Sequence, residues 1–134
     1  MTRYAVMVAV VAMAAMVAVG LAREDKPAAK GPAIGHMVFF KLKDSTPESQ
    51  QKLVAACQKY LAKHDGVIYF SAGVRGTEFN REVNDTDWDV ALHLVFADKA
   101  AHDKYQDHPE HLKFIDENKA TWAKVRVYDS HLAK

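Results

Sequence analysis

From residue 34 onward the chain alternates between two hydrophobic rhythms, and their order predicts its architecture. Ile34 to Leu42 (IGHMVFFKL) is short, aromatic and branched, the composition of a strand. Ser45 or Thr46, then Pro47 and Glu48, form a helix start: a hydroxyl cap, proline at the first position and an acid in the first turn. Leu53, Val54, Cys57, Tyr60 and Leu61 recur at helical spacing, so this helix is expected to run to about His64, where Asp65-Gly66 ends it. Val67 to Val74 (VIYFSAGV) reads as a second strand, and a polar loop from Arg75 to Thr86 leads to a third, Asp87 to Phe96. Asp98 caps a short helix through Tyr105, and Pro109 restarts helix to about Lys119. Trp122 to Tyr128 (WAKVRVY) is the closing strand.

The order β-α-β-β-α-β defines an α+β, ferredoxin-like fold: a four-stranded antiparallel sheet with its helices on one face. The period-two alternation then separates the two faces of each strand. In the third strand Trp88, Val90, Leu92, Leu94 and Phe96 form a set fit to lie under helices; Ala91, His93 and Val95 point the other way. The first strand sets His36, Val38 and Phe40 against Met37 and Phe39, and the second sets Ile68, Phe70, Ala72 and Val74 against Tyr69 and Ser71. Neither face is properly polar, whereas an antiparallel sheet covered on one side usually shows a wet second face. No element is left over to cover that face. A second copy, sheet against sheet, is the expected cover, giving a homodimer closed into an α/β barrel. A charge introduced there, at Val38 or Val95, is expected to split or unfold it.

Ahead of the domain, residues 1–22 carry Arg3, a long apolar run and small residues at Gly20 and Ala22, followed by the charged cluster Arg23 to Lys26. This is the layout of a cleaved secretory signal peptide. An uncleaved anchor over residues 4–22 is the alternative, and both place the domain outside the cytoplasm, periplasmic or secreted. Residues 23–33 read as a linker, and residues 34–132 as the single domain. The 18 basic and 17 acidic residues are balanced and form no stripe, which argues against a nucleic-acid partner. Membrane contact is expected only through an uncleaved first segment. A lone cysteine, Cys57, excludes an intramolecular disulfide or a cysteine-based zinc site and suits a buried apolar position.

Chemistry concentrates in YQDHPEHLKF, Tyr105 to Phe114. His111 lies on the helix restarted by Pro109, and with Tyr105 it could face a cavity. A neutral imidazole takes a proton near physiological pH, and a tyrosine hydroxyl holds or donates one. His108 reads instead as the cap where the helix restarts. No metal site is expected, because the proline takes His108 out of register with His111 and no third ligand is evident nearby. His64 suits a helix end, His102 and His131 read as solvated, and Trp88 and Trp122 read as core or interface aromatics. Lys124 and Arg126 read as rim or interface charges.

The runs HMVFFKLK from His36 and DWDVALHLVF from Asp87, with the Tyr-x-x-His-Pro-x-His segment and the closing aromatic strand, resemble the stress-responsive dimeric α/β-barrel (Dabb) family. The resemblance covers about Gly35 to Leu132. It implies two ferredoxin-like units joined into a barrel with a cavity in each half. One plant branch, similar to olivetolic acid cyclase, closes linear polyketides by aldol condensation. Carried over, its proton-transferring histidine and tyrosine fall on His111 and Tyr105, and its first-strand histidine on His36. Related dimeric barrels handle haem, with His36 or His93 as the conceivable axial ligands, but no attachment motif is present and no cofactor is expected.

The leading expectation is therefore a dimeric domain that binds a small apolar or aromatic molecule, lined by His36, Val38, Phe40, His93, Tyr105 and His111, with no assigned reaction. A cyclase- or isomerase-like enzyme using His111 and Tyr105, with His36 assisting, is the alternative; a purely structural oligomerising domain is the third reading. The enzyme needs His111 open to the cavity, whereas assembly alone predicts a cavity filled with side chains. Alanine at His111 or Tyr105 is expected to leave folding almost intact, and alanine at His108 or Pro109 to cost stability.

Overall fold

The computed structural model describes residues 28–133; the expected leader, residues 1–22, and the start of the expected linker, residues 23–27, lie outside them. The elements are β1 (Ile34–Leu42), α1 (Pro47–Leu61), β2 (Val67–Val74), β3 (Val90–Phe96), α2 (Lys99–Gln106), α3 (Pro109–Asn118), a single 3-10 turn (Lys119–Thr121) and β4 (Trp122–His131). The sheet is antiparallel throughout, in the order β2-β3-β1-β4, so the two central strands are those richest in buried apolar residues. This is the ferredoxin-like arrangement expected from the element order.

Local chemistry sets the boundaries. Thr46 caps α1, its hydroxyl accepting from the Ser49 N–H, while the Ser49 hydroxyl accepts in return from the Thr46 N–H. The helix ends at Leu61, short of His64, because the His64 side chain takes over the Tyr60 carbonyl (Nε2 to O, 2.8 Å). Gly66, at φ +83°, makes the turn into β2; a Cβ there would meet the Cβ of Ala101 at 2.4 Å, so only glycine fits. Asp98 caps α2, accepting from the Ala101 N–H at 2.9 Å. At the far end, β4 runs on to His131 because Ile34 pairs with it across the sheet.

The helices lie on one face. Beneath them, Val38 and Phe40 of β1 and Val90, Leu92, Leu94 and Phe96 of β3 pack against Leu53, Cys57 and Leu61 of α1, Tyr105 of α2 and Phe114 of α3. Cys57 is fully buried, and burial pushes its thiol up to about 12, which makes it inert at neutral pH. Trp122 packs on Phe40 (ring centres 5.0 Å apart) and Phe114 (5.8 Å).

Two assignments of face change. Trp88 is not under the helices: β3 begins at Val90, and Trp88 stacks edge-on to Phe39 at 5.1 Å on the opposite face. The alternation breaks because Asp89 is drawn to the end of β1. Its carboxylate accepts from the Leu42 N–H (2.8 Å), the Ser45 hydroxyl (2.6 Å) and Lys41 Nζ (3.2 Å). Val38, offered as a second-face position, lies on the helix side and is 5% exposed, so a charge there would strike the core instead of an interface. The loop between β2 and β3 is pinned to β4 by Lys124 on Asp87 (3.3 Å) and Arg126 on Asp85 (2.9 Å), which gives both cations a structural partner.

Asp89 supplies a stability prediction. Burial raises its pKa, but the Ser45 hydroxyl, the Leu42 amide and Lys41 outweigh that and hold it below the ordinary carboxylate value. A depressed folded-state pKa contributes stability that is present above the unfolded value and lost as pH falls through the folded one. Asp89→Ala leaves the Leu42 N–H without its acceptor and should cost about 1–3 kcal/mol at pH 7. Thermal melts of the two proteins should converge as the pH drops below the unfolded carboxylate range; a gap that persists undiminished in strong acid would contradict the role.

Candidate functional site

The helix layer stops short of β4, and this geometry creates a cleft. On the helix-side face β4 presents Val125 and Val127, paired with Phe40 and Val38 across the ladder, and these remain 38% and 49% exposed. Between them and the α2–α3 corner lies a cavity of about 170 Å³. His36, Val38, Phe40, Tyr105 and His111 line it, as five of the six residues read as ligand-binding from the sequence. The rest of the wall, Leu92, Gln106, Phe114, Ile115 and Trp122, was not singled out in advance. The signal was present for Val125 and Val127, since period two on β4 places both beside the first-strand set.

His93 does not join them. It lies on the opposite face of the sheet, paired with Met37 and Ser71, with its Nδ1 3.1 Å from the Ser71 hydroxyl and its ring 6.1 Å from Phe39. One residue of offset along β3 separates it from the cleft, because alternate strand side chains exit on opposite faces.

His111 is oriented by the break between α2 and α3. Its Nδ1–H donates to the Gln106 carbonyl at 2.9 Å. A carbonyl only accepts, so the neutral ring carries its proton on Nδ1 and keeps a lone pair on Nε2. Burial holds the imidazole below its ordinary pKa, opposed by the Gln106 carbonyl and reinforced by His36, His64 and His102. It is therefore a neutral base at neutral pH. The Tyr105 ring lies against it, centres 4.3 Å apart and planes 33° apart. Tyr105 is 2% exposed, and burial, with Cys57 nearby, pushes its phenol well above the usual range, so it stays protonated at neutral pH. A neutral imidazole and a protonated tyrosine thus stand ring against ring at the wall of a mostly apolar cavity.

His108 caps α3, its Nδ1 accepting from the Glu110 N–H at 3.1 Å, and its ring packs on His64 at 4.5 Å in a separate small cavity. It is not placed to share a ligand with His111. His36 is buried at the other end of the cleft, its Nδ1 2.6 Å from Asp129 Oδ1. Burial lowers its pKa, while Asp129 acts to raise it. His102, read as solvated, is instead half-buried against this pair: its ring centre is 5.3 Å from that of His36 and its Nε2 3.7 Å from Asp129. The helical spacing of His102 to Tyr105, three residues apart on one face of α2, was the signal that could have found it.

Comparison with known proteins agrees with this architecture. The profile of the stress responsive A/B barrel domain (Dabb) family matches residues 34–132, and the chain belongs to that family. A Dabb-family protein with a ferredoxin-like fold from Mesorhizobium loti is 24% identical, with a TM-score of 0.64 over 77% of this chain and 99% of that one. A dimeric ferredoxin-like protein of unknown function from Thermobifida fusca is 19% identical, with a TM-score of 0.63 over 82% of this chain and 100% of that one. The hydroxynitrile lyase of Passiflora edulis is 15% identical, with a TM-score of 0.64 over 78% of this chain and 97% of that one. No curated protein matches the chain. At these identities the likeness is one of fold.

Proposed function

We propose that the protein is an exported, homodimeric domain that binds a small, mostly apolar molecule carrying one polar group, in the cleft between the α2–α3 corner and β4. The observation that carries this reading is the state of His111: a neutral imidazole with its Nδ1–H anchored on Gln106, at the wall of a cavity that side chains do not fill. A site of this kind gives the ligand apolar contact and one fixed polar partner. The cavity's volume suits a ligand of few heavy atoms. Dimeric relatives of the same fold support the homodimer. Export rests on the sequence of residues 1–22, which lie outside the described structure.

The enzyme reading is favoured by one feature, the contact of Tyr105 with His111. A neutral base beside a protonated phenol suits abstraction of a proton from carbon next to a carbonyl, or from the hydroxyl of a hydroxynitrile, where the carbonyl forms as the carbon–carbon bond breaks and cyanide leaves with its electron pair. The Passiflora enzyme of the same fold acts as a hydroxynitrile lyase, which makes an aromatic hydroxynitrile a reasonable first probe.

Native mass spectrometry of the protein from its own host tests both. The expected result is a dimer of chains starting near Arg23 that retains a small ligand, with the ligand lost in His111→Ala. Cleavage of an aromatic hydroxynitrile by the wild type and not by His111→Ala would establish the enzyme reading. A wild type that retains no ligand, or a retained ligand that His111→Ala keeps undiminished, would overturn the cleft as a binding site.

A further inference from the structure

Beside the cleft, the fold brings together three donors that lie far apart in the sequence. His36 of β1, His102 of α2 and Asp129 of β4 each offer one ligand atom, and these atoms all lie within 4.8 Å of one another. We propose that they form a binding site for a divalent first-row transition ion of the zinc type, adjoining the ligand cleft through His36 and open to solvent on one side.

Three features beyond proximity support it. The first is the donor chemistry. Two imidazoles and one carboxylate suit zinc and its neighbours, and are too nitrogen-rich for magnesium or calcium, which take oxygen ligands. The second is spacing. A tetrahedral ion with bonds of about 2.0–2.2 Å holds its donors roughly 3.3 Å apart. The observed separations bracket that value: His36 Nδ1 to Asp129 Oδ1 is 2.6 Å and His102 Nε2 to Asp129 Oδ1 is 3.7 Å. Asp129 is half exposed on the edge strand β4, so its side chain is free to make the sub-ångström shift required.

The third feature is the orientation of His102. Nε2 has a single lone pair, which the Gln106 amide occupies as donor at 3.2 Å; an ion bound beside Asp129, 3.7 Å away, would take that lone pair as the amide swings aside. The other nitrogen, Nδ1, faces the Asp103 carboxylate at 3.3 Å. A carboxylate behind the second ring nitrogen is the usual support of a metal-ligating histidine, since it fixes the tautomer and raises the basicity of the ligand. His102 and Asp129 also line a groove of about 650 Å³ between α2 and the end of β4. That groove gives the ion an entry path and leaves room for a water or a small anion at its fourth position.

The test uses the full chain, stripped with chelator and titrated calorimetrically with Zn²⁺ and, separately, with Mg²⁺. One Zn²⁺ per chain should bind, with no Mg²⁺ uptake at the same concentration, and Zn²⁺ should raise the melting temperature. Asp129→Asn, at a half-exposed position where the amide oxygen can still accept from His36, and His102→Gln should each weaken Zn²⁺ at least 100-fold. Asp103→Asn should weaken it about tenfold. His111→Ala should leave zinc affinity unchanged, which separates this site from the cleft reading. A folded wild type that takes up no zinc, or zinc binding of equal affinity in Asp129→Asn and His102→Gln, would overturn the proposal.

Discussion

Tyr105→Ala should destabilise the protein by roughly 3–5 kcal/mol, the range for losing a large aromatic from a packed interior. For a domain of this size that corresponds to a fall in melting temperature of more than about 12 °C. The sequence suggested the opposite, that Tyr105 would be replaceable like His111. The structure shows why the two differ. Tyr105 is 2% exposed and its ring is enclosed by Phe96 (5.0 Å), His64 (5.0 Å), His36 (5.9 Å) and His111 (4.3 Å). His111 is only half-buried and keeps a single backbone bond, so His111→Ala should cost about 1 kcal/mol. His108→Ala, a lost helix cap, should cost a similar amount. The informative variant at Tyr105 is therefore phenylalanine, which keeps the packing and removes the hydroxyl. Melts of the four variants check this; a Tyr105→Ala protein as stable as His111→Ala would place the ring outside the core.

How far the site was legible follows from the range of each signal. Strand alternation and helix caps are local, and they placed Thr46, Asp98, Pro109 and the buried sets of β1 and β3 close to where they lie. Trp88 escaped because a buried carboxylate next to it, Asp89, recruits donors from Leu42 and Ser45 and so interrupts the alternation. Nothing within a few residues of Asp89 announces that demand. The His111 site was legible because its motif is contiguous. The His36, His102 and Asp129 cluster was not, since it depends on the β1–β4 register, which opposes His36 to Asp129 across nearly the whole domain. His93 shows the converse error: a histidine on a central strand is conspicuous in sequence, yet which face it takes decides everything, and it takes the face away from the cleft.

Val95→Asp should break the dimer while leaving the protomer folded. Val95 sits on the central strand β3, on the face turned from the helices, between Gly35 of β1 and Tyr69 of β2. The same face carries Met37, Phe39 and Tyr128 further along the strands, with Phe39 and Tyr128 edge to face at 6.0 Å. Tyr69 and Tyr128 remain 54% and 56% exposed in a single chain, a large apolar surface to leave in water. With a partner sheet laid over it, an aspartate at position 95 would be desolvated. An unpaired buried charge costs about 3–5 kcal/mol, which weakens association by a factor of roughly 10² to several thousand. In the isolated protomer the same carboxylate meets water, so the melt should change little. Val38→Asp serves as the contrast: that side chain lies under the helices, and its loss should unfold the chain outright. Sedimentation at micromolar concentration should show wild-type dimer and Val95→Asp monomer, both folded by circular dichroism. A Val95→Asp protein that stays dimeric at the same concentration would show that the partner covers some other surface.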